Sequence, residues 1–185
     1  MKRRDAVRLL LKNRKDLLVV AGLGSTAWDC TAAGDSPLTF PLWGAMGQAA
    51  MMGLGLALAQ PKRRVLVVTG DGEALMGLGA LATIGVQRPA NLTVVVIDNE
   101  RYGETGMQQT HTAHGVDLAG VARACGLNIV AFENIKAAIH STPGPNFAAV
   151  KVKAEKIPLV LPPREGALLK ARFRRALLGP KADAE

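Results

Sequence analysis

The sequence predicts an α/β fold, a doubly wound and mostly parallel sheet with helices on both faces. Two apolar runs of strand length, residues 65–69 and 92–97, flank residues 74–86, which hold good helix formers and no proline. That order is strand, turn, helix, strand, the βαβ unit that joins parallel neighbours. Polar residues then fall at the carboxyl ends of both strands, Gly70-Asp71-Gly72 after the first and Asp98-Asn99 after the second. In sheets of this kind that edge receives ligands.

The remaining elements follow in chain order. Residues 3–12 place Ala6, Leu9 and Leu10 at helical spacing with basic residues opposite, an amphipathic opening helix. Residues 17–21 form the first strand. The Gly22-Leu23-Gly24-Ser25 segment after it carries only part of a dinucleotide fingerprint, because Ala27 stands at the third glycine position and no acidic residue ends a second strand about twenty residues on. Residues 29–40 are polar, with glycine and proline, and read as a loop walling a site. Trp43-Gly44-Ala45-Met46-Gly47 opens a helix over residues 48–59 whose small side chains allow close packing. After Asn99, residues 100–111 have no periodicity and read as an active-site loop. Asp117 is placed to cap a helix that Gly126 ends, residues 128–132 form a short strand, 134–141 a helix and 146–154 the last strand. A proline-bearing linker, 156–163, leads to a basic amphipathic helix at 165–178.

Composition narrows the function class. A chain of 185 residues is about one domain and buries a sizeable core unaided. Its two cysteines, Cys30 and Cys125, form no metal-ligand spacing, and no apolar run approaches the roughly 18 residues that span a bilayer. We therefore expect a soluble cytoplasmic protein with no membrane partner. The net charge of +8 sits at the ends: residues 1–15 hold seven Lys/Arg and one Asp, and residues 164–185 hold six Lys/Arg and three Asp/Glu. No aromatic residues interleave with those runs, so a nucleic-acid partner is not expected.

The chemistry gathers at the two polar strand ends. Asp71 offers a carboxylate, Asn99 a side-chain carbonyl and the backbone near Arg101 a third oxygen. Hard oxygens of this kind suit Mg²⁺, which takes further ligands from a phosphate group and from water. A helix starting near Glu73 aims free N–H groups at the same place, which points to a diphosphate.

These residues resemble the thiamine-diphosphate-dependent enzymes, whose mark is Gly-Asp-Gly followed about 25 residues later by a pair ending in Asn. Asp98 replaces the first Asn of that pair. The resemblance implies thiamine diphosphate and Mg²⁺ as cofactors, with Asp71, Asn99 and the Arg101 carbonyl as metal ligands. It further implies cofactor contacts from Gly44, Ala45, Met46, Gly70, Gly72, Glu73, Ala74, Tyr102 and Gly103. Of these, the Gly44 carbonyl accepts a hydrogen bond from the aminopyrimidine, and Met46 is the wedge that bends the cofactor. Glu73 departs from the small residue usual there, since a carboxylate beside a diphosphate is repulsive unless it turns away. On this reading residues 1–163 are the diphosphate- and Mg²⁺-binding domain, and residues 164–185 are a basic C-terminal helix and tail.

Family enzymes activate the cofactor with a glutamate on a pyrimidine-binding domain. No Glu precedes Glu73, so we expect that glutamate on a partner chain in a hetero-oligomer with two or more copies of each subunit. The Gly79-Ala80-Leu81-Ala82-Thr83-Ile84-Gly85 helix and the Tyr102-Gly103-Glu104-Thr105-Gly106 loop are similar to the smaller subunit of sulfopyruvate decarboxylases and to part of phosphonopyruvate decarboxylases. The resemblance implies decarboxylation of a small anionic 2-oxo acid, 3-sulfopyruvate or 3-phosphonopyruvate, to an aldehyde. Glu104 and His111 are the candidate catalytic residues. Another carboligase-type enzyme of the same cofactor class, or a non-catalytic cofactor-binding subunit, stands as the alternative.

Overall fold

The computed structural model describes residues 1–183, so the last two positions of the expected basic tail lie outside the described residues. Eight strands run in chain order: β1 (Leu18–Ala21), β2 (Thr39–Pro41), β3 (Val65–Gly70), β4 (Leu92–Asp98), β5 (Arg101–Tyr102), β6 (Gln108–Gln109), β7 (Asn128–Ile129) and β8 (Asn146–Lys151). Six of them form one parallel sheet in the order β2-β1-β3-β4-β8-β7, and β5 and β6 pair as a separate antiparallel hairpin.

Central strands of such a sheet are covered on both faces, which requires apolar side chains at every position. β1 and β4 are buried throughout, and β3 is buried up to Thr69. Val19, Leu66, Val68, Val95 and Ile97 point to one face, where α1 (Arg3–Leu11), α2 (Ser25–Ala32) and α7 (Ile135–His140) pack. Leu18, Val20, Val65, Val67, Val94 and Val96 point to the other, under α3 (Ala49–Ala59), α5 (Gly79–Gln87), α6 (Leu118–Ala124) and α8 (Gly166–Leu178).

Several expectations are corrected. The loop expected at 29–40 is confined to residues 33–38, between the end of α2 and the edge strand β2. The polar Asp29 is fully buried because Arg3 and Arg4 of α1 both bind its carboxylate, a tertiary pairing that lets a charged residue face the core. The single helix expected over 74–86 is two, α4 (Asp71–Met76) and α5, broken at Gly77-Leu78. The backbone of Gly47 crosses there, and a Cβ on Gly77 would stand 2.0 Å from the Gly47 carbonyl oxygen. Within the loop expected at 100–111, β5 and β6 pair as a short hairpin. Asp117 stands at the start of α6 without making a side-chain capping bond. β7 is only two residues long, and a 3-10 turn at Phe132–Asn134 follows it.

Strand order reverses at β1, which has β2 on one side and β3 on the other. The crevice of a doubly wound sheet opens at such a reversal, outside the carboxyl ends of the strands.

Candidate functional site

A cleft of about 150 Å³ lies at that position, lined by Leu23, Ser25, Met46, Gly70, Asp71, Gly72, Glu73, Ile97, Asn99, Arg101, Tyr102, Gly103, Glu104 and Thr105. Small-molecule sites usually occupy about 300–1,000 Å³. The cleft is therefore partial, with one side left open.

Asp71 begins α4, directly after β3, and is 2% exposed. Its Oδ2 accepts a hydrogen bond from the Thr110 hydroxyl at 2.5 Å and lies 3.3 Å from the Thr112 hydroxyl, and its Oδ1 accepts the backbone N–H of Asn99 at 3.3 Å. Burial pushes its pKa up, and the Thr110 hydroxyl opposes that shift. Among the described residues every hydrogen-bond donor to this carboxylate is neutral. A desolvated carboxylate with no cation beside it, facing a cleft, is a donor in need of one.

Asn99 directly follows β4, and its Oδ1 accepts the backbone N–H of Arg101 at 2.9 Å, which leaves that carbonyl a second lone pair. Tyr102 packs over Gly72, where a Cβ would meet its ring at 2.5 Å, so the glycine is what lets the hairpin close on the first turn of α4. Backbone strain collects on this rim: Ala45, Glu100 and Met107 all hold positive φ, at 56°, 60° and 65°.

Glu73 lines the cleft, but its carboxylate is tied back to Thr69 and to the turn after β1. Its Oε2 accepts the Leu23 N–H at 3.0 Å and the Thr69 hydroxyl at 2.8 Å, while its Oε1 is buried without a hydrogen-bond partner. Burial raises its pKa, with the Thr69 and Leu23 bonds and the amides of Ala49 and Gly47 acting the other way. The clash feared for a carboxylate at this position is thus met by folding it under the turn that follows β1.

The other candidates divide. Met46, Gly70, Arg101, Tyr102, Gly103 and Glu104 line the cleft with Asp71, Gly72, Glu73 and Asn99. Glu104 sits on the hairpin tip with its carboxyl against Gly24, and partial burial raises its pKa while nearby Arg3 lowers it. Gly44, Ala45 and Ala74 flank the lining without joining it. His111, itself exposed, opens a 3-10 turn outside it. Leu23, Ser25, Ile97 and Thr105 line the cleft without having been expected there. Ser25 begins α2, so a second helix start faces the cavity, and the Gly22-Leu23-Gly24-Ser25 turn was its visible signal.

The donor set fits a hard divalent cation with a diphosphate. One carboxylate and one amide carbonyl converge on the cleft, and among the described residues no group of three or more His, Cys, Asp or Glu side chains forms a self-sufficient metal cluster. A cation held here takes the rest of its shell from its ligand and water, as Mg²⁺ does.

Comparison with known proteins gives concordant matches. The family model for the C-terminal TPP binding domain of thiamine pyrophosphate enzymes matches residues 24–150. The sulfopyruvate decarboxylase subunit beta of Methanothermobacter thermautotrophicus is 41% identical over 156 residues, 83% of each chain. That of Methanocaldococcus jannaschii is 38% identical over 136 residues, 73% of this chain and 72% of the relative. The phosphonopyruvate decarboxylase of Streptomyces viridochromogenes is 45% identical over 123 residues, 66% of this chain but only 30% of that protein. Among solved structures, a Mycobacterium smegmatis protein described as thiamin diphosphate-dependent superposes with a TM-score of 0.69 at 22% identity, covering 84% of this chain and 32% of that one, a likeness of fold.

Proposed function

The chain belongs to the thiamine pyrophosphate enzymes through their C-terminal cofactor-binding domain, and from that premise we propose that it is the cofactor-binding subunit of a decarboxylase acting on a small anionic 2-oxo acid. The observation that carries the reading is the convergence of buried Asp71, Asn99 and Met46 on one cleft where the strand order reverses. Bound thiamine diphosphate supplies a nucleophilic carbon and an electron sink for loss of CO₂ from the substrate.

This chain's part is to hold and orient. Asp71, the Asn99 side chain and the Arg101 carbonyl hold Mg²⁺, which fastens the diphosphate. The open N–H groups at the starts of α2 and α4 face the same anion. Met46 and the Gly44 carbonyl engage the opposite end of the cofactor, with Ala45, Gly70, Gly72, Ala74, Tyr102 and Gly103 around it. Glu104, at the mouth of the cleft, is the chain's own candidate for proton transfer.

The missing wall belongs to a pyrimidine-binding partner that carries the activating glutamate. Two observations support that partner: the partial cleft, and relatives of matching length that are named as beta subunits. The same relatives favour 3-sulfopyruvate over 3-phosphonopyruvate as substrate. Placement in the cytoplasm completes the reading, supported by two free cysteines and, among the described residues, no helix long and apolar enough to cross a membrane.

Co-expression with the partner chain, followed by CO₂ release assays with Mg²⁺, thiamine diphosphate and each of 3-sulfopyruvate, 3-phosphonopyruvate and pyruvate, tests this. Turnover of the sulfonate is expected. No turnover of any substrate in a complex that binds the cofactor would sink the decarboxylase assignment. Metal-dependent cofactor binding should vanish in Asp71→Ala, and its survival would refute the Mg²⁺ site.

A further inference from the structure

We infer that Thr110 is a positioning residue for Asp71, fixing the carboxylate so that its remaining lone pairs face a cation, and that Thr112, Asp98 and Lys151 hold that arrangement in place. The inference rests on the Mg²⁺ reading given above.

Each threonine hydroxyl carries one proton; Thr112 lies between two carboxylates, and Thr110 between the Asp71 carboxylate and the Thr112 hydroxyl. Thr110 Oγ1 is 2.5 Å from Asp71 Oδ2, and 3.0 Å from Thr112 Oγ1. Thr112 Oγ1 is 2.8 Å from Asp98 Oδ1 but 3.3 Å from Asp71 Oδ2. The shorter contacts give one proton to each acid, Thr110 to Asp71 and Thr112 to Asp98. All four side chains are buried, Thr110 at 1% exposure and Thr112 at 5%, so water does not compete for these protons.

The two acids are treated differently. Asp98 is charge-compensated: besides the Thr112 hydroxyl it accepts the Glu100 backbone N–H at 3.1 Å, and Lys151 pairs with it at 2.9 Å. That ion pair is built into the sheet, because Asp98 and Lys151 are register partners across β4 and β8. Lys151 also binds Glu100 at 2.6 Å. Asp71, in contrast, receives neutral donors only and keeps its charge uncompensated. Lys151 thus neutralises the neighbouring acid without reaching the one that faces the cleft. The hairpin delivers Thr110 to this place: the Thr110 N–H bonds the Glu100 carbonyl at 3.1 Å, one step beyond the Arg101–Gln109 pair. Hydrogen-bonded supports of this sort orient metal ligands and set their basicity.

The test is Mn²⁺ titration followed by electron paramagnetic resonance, on the complex of the full chain with its partner and thiamine diphosphate, in wild type, Thr110→Val, Thr110→Ser and Thr93→Val. Thr93 is an equally buried threonine whose hydroxyl bonds the Ala138 carbonyl at 3.0 Å, away from the cleft, so its valine variant reports the general cost of the swap. Thr110→Val should weaken Mn²⁺ binding about tenfold, while Thr110→Ser and Thr93→Val bind as wild type does. Should Thr110→Val fail to fold, Thr110→Ala carries the same expectation. Wild-type Mn²⁺ affinity in the folded Thr110→Val or Thr110→Ala protein, or equal losses in Thr93→Val, would overturn the positioning role and leave the metal reading intact. Absence of Mn²⁺ binding by wild type would overturn the metal reading and this role with it.

Discussion

Glu73 shows how a single buried acid sets a pH dependence that its sequence position gives no hint of. Its pKa is raised because desolvation outweighs the bonds from Thr69 and Leu23. For an acid raised in the folded state, the unfolded chain releases its proton first as pH climbs, so stability falls between the ordinary carboxylate range and the elevated one. Cofactor-free protein should lose stability over that interval. In Glu73→Gln the slope of denaturation midpoint against pH should be shallower, whatever the offset between the two proteins at any one pH. Parallel slopes would show that Glu73 titrates as an exposed residue does.

At the level of elements, α8 and the edge strand β2 depend on each other. Phe173 of α8 meets Phe40 of β2 edge-on, with centroids 5.5 Å apart, and Leu169 is buried one turn earlier. The Glu165 side chain caps the helix by accepting the Ala167 N–H. Phe173→Ala should cost roughly 3 kcal/mol in urea denaturation; an unchanged midpoint would mean that α8 contributes nothing to the cooperative core. The sequence announced the elements whose signals are local. Residues 65–72 and 92–99 carry apolar runs ending in polar pairs, and these became β3 and β4 with Asp71 and Asn99 at their ends. α2 and β2 escaped notice because Asp29 is made tolerable by Arg3 and Arg4, more than twenty residues away, and because a three-residue edge strand has no period to display. The break between α4 and α5 depends on where the Gly47 backbone passes. Thr112 and Lys151 stayed anonymous for the same reason: their partners are distant in the chain, and no motif spacing marks them; Thr110 reads from sequence as a loop residue that could meet an anionic substrate, not as a support for Asp71.

Across the whole molecule the two sheet edges have opposite characters. At the amino edge Lys12 and Lys15, which the sequence assigns to a basic terminus, meet Arg64, Lys136 and His140 around a cavity of about 370 Å³. The pKa of His140 is lowered there by partial burial and then by Lys136, Lys15 and Arg64. The carboxyl edge instead gathers Asp71, Glu73 and Glu104 about the cleft, with Asp98 behind it.

The one-sided cleft also has a thermodynamic consequence. If cofactor and partner each complete the same cavity, their bindings are linked, and linkage is reciprocal: whatever factor the partner adds to cofactor affinity, the cofactor must add to subunit affinity. Isolated chain should therefore hold thiamine diphosphate and Mg²⁺ weakly, and subunit dissociation, measured by analytical ultracentrifugation with and without the cofactor, should shift by the same ratio as cofactor affinity measured with and without the partner. That shared ratio should exceed one, and a ratio of one would mean that the open side of this cleft is closed by something other than the subunit.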